Sequence, residues 1–218
     1  MNISDYILKD FKPLTLQSTV KKAQKQCKNF PITHIPIVED GKLLGSFSQS
    51  DLQPLENKEL KLAEIYDLML HFSTNSSETI LELLQLFADN DANIIPVVDQ
   101  NIYQGYYELG DILDVFSSTP FLTNEGFILE VEKNAKEYSM SEVSQIIESN
   151  NATLLGCFIS NKTLDKIGVT VKIASQEIND IIQTFRRYNY TIITNHEDDF
   201  YLEELKSRSD YLQKFLNT

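Results

Sequence analysis

Two stretches of the chain carry the same pattern of apolar and polar positions sixty residues apart. Val20, Ala23, Gln24 and Cys27 fall on one face of a helical period, and so do Ile80, Leu83, Leu84 and Phe87. Each predicted helix leads into a short β-branched run, Ile35-Pro36-Ile37-Val38 in one case and Ile94-Ile95-Pro96-Val97-Val98 in the other. A turn follows, Glu39-Asp40-Gly41-Lys42 or Asp99-Gln100-Asn101, and then a return strand, Leu43 to Phe47 or Tyr103 to Tyr107. Asp-Gly supplies the positive φ that a tight hairpin needs. Ser48 then caps a helix with Asp51 in its first turn, and Glu108 and Asp111 hold the same places in the second stretch. Thr19 and Thr79, and Gly45 and Gly105, keep the same offset. Such a repeat means two copies of one folding unit, each read as strand, helix, strand, strand, helix. Two copies are too few for a solenoid, so the pair is expected to close as a pseudo-twofold module.

After Thr119-Pro120 the pattern changes. Gly126 to Val131 alternates like a strand, and Ser139-Met140-Ser141-Glu142 reads as a capping box opening a helix to about Ser149. Ala152 to Ile159 and Gly168 to Ile173 read as strands turned at Asn161-Lys162. Glu177 to Tyr188 is a helix with Ile178, Ile181, Ile182 and Phe185 on one face, and Tyr190 to Ile193 is a last strand. The order β-α-β-β-α-β is that of the ferredoxin-like split βαβ. Leu202 to Leu216 reads as a closing amphipathic helix. The expected division is therefore 1–58 and 59–121 for the two copies, 126–198 for the sandwich and 199–218 for the last helix, an α+β chain throughout.

Composition narrows the function. An apolar fraction of 42% in 218 residues, with 12 Phe and 10 Tyr, supports packed cores and argues against disorder. The start of the chain lacks a basic, apolar leader, and no run approaches a membrane span, so the protein is read as soluble and cytoplasmic. Cys27 and Cys157 sit in apolar surroundings and read as buried free thiols. The net charge of −13 is concentrated centrally: residues 1–50 carry seven lysines against four acids, residues 51–125 two lysines against fourteen acids. Such a surface repels a nucleic-acid backbone. His34, His71 and His196 show no metal-ligand spacing, and no glycine-rich phosphate loop or nucleophile with a base is visible, so the chain does not read as an enzyme. Asp198-Asp199 with Glu203-Glu204 reads as a solvated acidic face.

His34-Ile35-Pro36-Ile37-Val38, Asp40-Gly41-Lys42-Leu43-Leu44-Gly45 and Ser48-Gln49-Ser50-Asp51-Leu52, echoed by Ile95-Pro96-Val97-Val98-Asp99, Gly105 and Gly110-Asp111-Ile112-Leu113, resemble the cystathionine-β-synthase (CBS) domain. The tandem is similar to a Bateman module. Residues 126–198 resemble an ACT domain in element order and in Gly168-Val169-Thr170-Val171 before the helix. The combination is similar to small bacterial CBS-pair and ACT proteins, including those linked to acetoin utilisation.

The resemblance implies a regulator, with no cofactor, that senses an adenosine derivative such as AMP, ADP, ATP or S-adenosylmethionine between its repeats. It also implies a homodimer that acts on an unidentified protein partner. The matching positions are Ser48 and Asp51, with Thr33, His34, Ile35 and Pro36 beside the base, and Asp111 in the second copy. An ionised Asp accepts hydrogen bonds from ribose hydroxyls, and a hydroxyl beside helix amides suits a phosphate. Against this, Asp51 and Asp111 also suit simple helix capping, and Thr33 to Pro36 also suit an ordinary strand. In the second copy a carboxylate, Glu108, replaces the hydroxyl and would repel a phosphate, so the first copy is expected to hold the working site. The other reading open at this point is a ligand-independent dimeric adaptor that kept the fold and lost the site. In the ACT-like part, Glu132 to Tyr138 has no glycine and is rich in Lys and Glu, which favours a structural role over an amino-acid site.

Overall fold

A computed structural model describes residues 3–194, and the expected helix at 202–216, His196 and the acidic residues at 198–204 lie outside the described residues. The chain divides into two compact units between Ser118 and Thr119, just before the expected end of the second copy at 121. The first unit contains both copies.

In the first copy, α1 (Val20–Asn29) is capped by Thr19, whose side chain accepts from the Lys22 amide. It buries Val20, Ala23 and Cys27, the face that its periodicity predicts. β1 (His34–Glu39) and β2 (Lys42–Ser48) form an antiparallel hairpin, and α2 (Gln49–Leu52) is a single turn capped by Ser48. In the second copy, α3 (Ile80–Asp89) carries a full capping box from Thr79 and Glu82, and β3 (Ile94–Asp99) pairs with β4 (Ile102–Glu108) before α4 (Leu109–Ser117). The hairpin turns take left-handed backbone at matching positions, Asp40 and Gly41 in one copy, Gln100 and Asn101 in the other. Both hairpins shift register one residue past the proline, between Ile37 and Val38 and between Val97 and Val98. The expected opening strand of each copy is reduced to one bridging residue: Leu14 beside Ile37, and Thr74 beside Val97. Leu62–Leu68, near the start of the second copy, is 3-10 helix.

The copies also exchange their leading segments. Leu8 pairs with Tyr106 of β4, and Leu70 pairs with Ser46 of β2, so each hairpin gains a short third strand from the segment ahead of the other copy. Gly45 and Gly105 allow that approach. A Cβ on Gly45 would lie 2.6 Å from the Leu70 carbonyl oxygen, and one on Gly105 would strike the Leu8 carbonyl. Two apolar cores result, one around Phe47, Ile35 and Leu62, the other around Tyr107, Ile95 and Leu83.

The second unit begins with a short turn of helix, α5 (Pro120–Thr123), followed by β5 (Phe127–Asn134), α6 (Met140–Ser149), β6 (Thr153–Lys162), β7 (Lys166–Ala174), α7 (Asn179–Arg187) and β8 (Thr191–Ile192). From β5 onward the element order is β-α-β-β-α-β, with the four strands arranged β6-β7-β5-β8, all neighbours antiparallel. Leu129, Val131, Val169 and Val171 pack against Val143, Ile147, Ile181 and Phe185 of the two helices.

Three local expectations are corrected in this unit. The capping box at Ser139 does not form: the Ser139 hydroxyl meets Ser141, and Glu142 instead receives the Lys133 ammonium at 2.5 Å. Lys133 is buried, with its ammonium 4.6 Å from the centre of the Tyr190 ring, and so takes the carboxylate that a cap would have used. Burial alone would raise Glu142, but the Lys133 hydrogen bond and charge outweigh it and hold the carboxyl below its ordinary value. The β6–β7 turn lies beyond Lys162, not at Asn161-Lys162, because both residues stay paired with β7. Cys157 is only half-buried, its thiol 3.5 Å from the Met140 sulfur, whereas Cys27 is buried and burial pushes its thiol up to about 11.

Candidate functional site

The burial patterns of the two hairpins agree position by position until their last residue, where Ser48 is buried and Glu108 is half-buried. At Ser48 the hydroxyl accepts from the Asp51 amide at 3.0 Å and donates to the Asp51 carboxylate at 2.6 Å, with Ser50 Oγ at 2.9 Å. This reciprocal pair fixes the Asp51 side chain over the first turn of α2 and engages one of its oxygens, Oδ2. Oδ1 accepts no hydrogen bond among the described residues.

Thr33, just before β1, sits against its own counterpart. The Thr33 amide and hydroxyl both donate to Asn93 Oδ1, at 2.8 and 2.9 Å, and the Asn93 amide donates back to Thr33 Oγ1 at 2.9 Å. Asn93 also donates to the Pro31 carbonyl at 2.5 Å. Positions 33 and 93 are equivalent in the repeat, so the bond crosses the pseudo-twofold axis and locks the two copies together. The same residues hold the following helices, through Gln49 N to Thr33 O at 2.7 Å and Leu109 N to Asn93 O at 2.9 Å.

His34 is buried, 2.9 Å from Thr33 Oγ1 through Nδ1, and its ring stands edge-on to Phe72 at 5.2 Å. Thr33 gives its only hydroxyl proton to Asn93, so Nδ1 of His34 is the donor in that contact and Nε2 keeps a lone pair. Burial lowers the His34 pKa, and the charges of Asp91 and then Asp51 oppose that shift without reversing it, which favours the neutral ring.

These side chains surround a cleft of about 400 Å³ lined by Thr33, His34, Ser48, Gln49, Ser50, Asp51, Gln53, Leu70, Asn90 and Asp91. It is composite. The first copy supplies the Ser48–Asp51 turn, the exchanged segment supplies Leu70, and the second copy supplies the α3–β3 turn at Asn90-Asp91, where Asp91 takes a left-handed φ of 47°. Of the residues expected at the site, Thr33, His34, Ser48 and Asp51 come together here. Ile35 and Pro36 do not line the cleft: Ile35 belongs to the core, and Pro36 is buried with its carbonyl bonded to Leu14. Asp111 lies away from this cleft, in the first turn of α4.

The counterpart surroundings of Asp111 are acidic. Glu108 ends β4 without capping α4, and burial, then the charges of Asp111 and Asp10, push its carboxyl above the ordinary value. The buried Tyr106 hydroxyl donates to Asp10. Sequence reasoning missed Asn90 and Asp91. The signal was present in the repeat itself: a pseudo-twofold pair places the helix-to-strand turn of one copy opposite the strand-to-helix turn of the other.

Among the described residues no cluster of three or more His, Cys, Asp or Glu side chains could hold a metal ion, and no helix is long and apolar enough to cross a membrane.

A family model of the CBS domain matches residues 3–53, the first copy. No curated protein matches the chain. Among solved structures, the chain is similar to a CBS domain pair/ACT domain protein from Thermotoga maritima, at 19% identity, covering 53% of this chain and 96% of that one with a TM-score of 0.47. It is also similar to an acetoin utilization protein (AcuB) from Vibrio cholerae, at 22% identity, 53% of this chain, 90% of that one and a TM-score of 0.44. A third is a CBS domain pair in complex with 5′-methylthioadenosine and S-adenosyl-L-methionine, at 22% identity, 54% and 96% coverage and a TM-score of 0.44.

Proposed function

We propose that this protein is a cytoplasmic regulator whose first CBS-type cleft binds an adenosine derivative and relays occupancy to a protein partner. The observation that carries this reading is the convergence of Thr33, His34, Ser48 and Asp51 on one cleft built from both copies. The Ser48 hydroxyl holds the Asp51 carboxylate in place, with one oxygen free to accept from a ribose diol. A ligand lodged there touches the Ser48–Asp51 turn and the Asn90–Asp91 turn together, so its binding energy acts on the angle between the copies. The β-α-β-β-α-β unit then serves as an ACT-like dimerisation or output element.

A second reading, a ligand-independent adaptor, is favoured by one feature: Glu108, Asp111 and Asp10 crowd the equivalent place in the second copy, which a phosphate or ribose would find hostile. Thermal melting with AMP, ADP, ATP, S-adenosylmethionine and cyclic di-AMP separates the two. The regulator raises its melting temperature with one of them, by about 2.7 kcal/mol of stabilisation at a hundred times the dissociation constant, and Asp51→Ala removes the shift. A cooperative melt that none of the five displaces leaves the adaptor.

A further inference from the structure

We propose that the first cleft takes an adenosine whose 5′ substituent is uncharged or cationic, a thioether or sulfonium, and discriminates against nucleoside phosphates. This rests on the adenosyl reading above and sharpens it to a ligand class. The ionisable lining of the cleft is Asp51, Asp91 and His34. Asp51 is committed to a ribose in the reading above, which leaves Asp91 as the charge facing the rest of the ligand. His34 offers little compensating charge, because its Nδ1 proton is turned to Thr33 and burial favours the neutral ring. Among the described residues no lysine or arginine lines the cleft. Lys28 and Lys58 line another hollow, of about 160 Å³, whose lining has Gln49 and Gln53 in common with the cleft.

The usual receivers of a phosphate are weak here as well. α2 is a single turn of four residues and contributes little macrodipole, and the Ser48 hydroxyl already serves the Asp51 amide and carboxylate. A phosphate would enter a site of two carboxylates with no cation, whereas a sulfonium would meet Asp91 as a counter-charge. Position 91 differs between the copies: the matching position of the first copy is Pro31, which bears no charge.

Calorimetric titration of the full chain with S-adenosylmethionine, 5′-methylthioadenosine, AMP and ATP tests this. The expected result is binding of the first two, with AMP and ATP weaker by about tenfold or more, the scale of one close charge interaction. Asp91→Asn keeps the left-handed turn, which Asn tolerates, and is expected to weaken S-adenosylmethionine several-fold while leaving the uncharged thioether unchanged. AMP or ATP binding as tightly as S-adenosylmethionine, and lost in Asp51→Ala, overturns the charge argument and leaves the adenosyl reading standing. Equal loss of both sulfur ligands in Asp91→Asn also overturns it, since the residue would then act by shape alone. If none of the four binds, the adenosyl reading falls and the ligand class with it.

Discussion

At position 48 a serine closes β2, and at the equivalent position 108 a glutamate closes β4; that one difference separates a capped turn from an uncapped one. Ser48 satisfies the Asp51 amide and orients its carboxylate, while Glu108 makes no cap and is itself pushed toward protonation by burial and by its acidic neighbours. Both side chains were readable in the sequence, Ser48 as a hydroxyl cap and Glu108 as a carboxylate that repels an anion; that Ser48 is already engaged by Asp51 was not. His34 was not readable in the same way, since its burial and its tautomer depend on Thr33 meeting Asn93 across the axis, sixty residues away. The consequence is a pH dependence of stability. The folded His34 has a pKa below 6.5, so the unfolded chain binds its proton first as pH falls. No penalty exists above about pH 6.5; it grows as pH falls toward the lowered folded value and then levels off, with a slope of at most about 1.4 kcal/mol per pH unit for a single group. Urea denaturation from pH 7.5 to 5 should show His34→Gln with a shallower decline than the parent, whatever its absolute stability. Identical slopes would remove His34 from the account.

At the scale of elements, the helices and hairpins were legible because their periods are local: Val20, Ala23 and Cys27 announce a buried helical face, and Asp40-Gly41 announces a hairpin. The exchange of leading segments was not, because Leu8 and Leu70 pair with strands far along the chain and carry no local strand pattern. The repeated glycines were its only trace, visible at 45 and 105 with no structural role attached. Gly105 has φ at +146°, and an added Cβ would collide with the Leu8 backbone, so Gly105→Ala is expected to cost about 1–3 kcal/mol. Gly110, in the first turn of α4 with open space around it, is the control: Gly110→Ala should be neutral or stabilise by up to about 1 kcal/mol. Chemical denaturation of the two variants measures both. Equal, small effects would mean that the exchanged strand is dispensable to the hairpin. The failed capping box at Ser139 shows the opposite limit of local reading, since the buried charge of Lys133, a neighbour in space on β5, claimed Glu142 first.

For the whole molecule, the sixty-residue offset gave away the paired copies and the change of pattern near 120 gave away the second unit, but the cleft needed both copies folded before its lining could be named. Asp91, one of its two carboxylates, sits in a turn whose sequence, Asn90-Asp91, looks like any polar connection. The pair is thus symmetric in fold and asymmetric in chemistry, one copy offering Ser48 and Asp51, the other Glu108 and Asp111. In the proposed function only the first of these is a working site. This is tested most directly by the stoichiometry of equilibrium binding of a radiolabelled adenosyl ligand, S-adenosylmethionine first, to the full chain and to its Asp51→Ala and Asp111→Ala variants. One ligand per chain is expected, abolished by Asp51→Ala and unchanged by Asp111→Ala. Two ligands per chain, or binding that survives Asp51→Ala and disappears with Asp111→Ala, would contradict it.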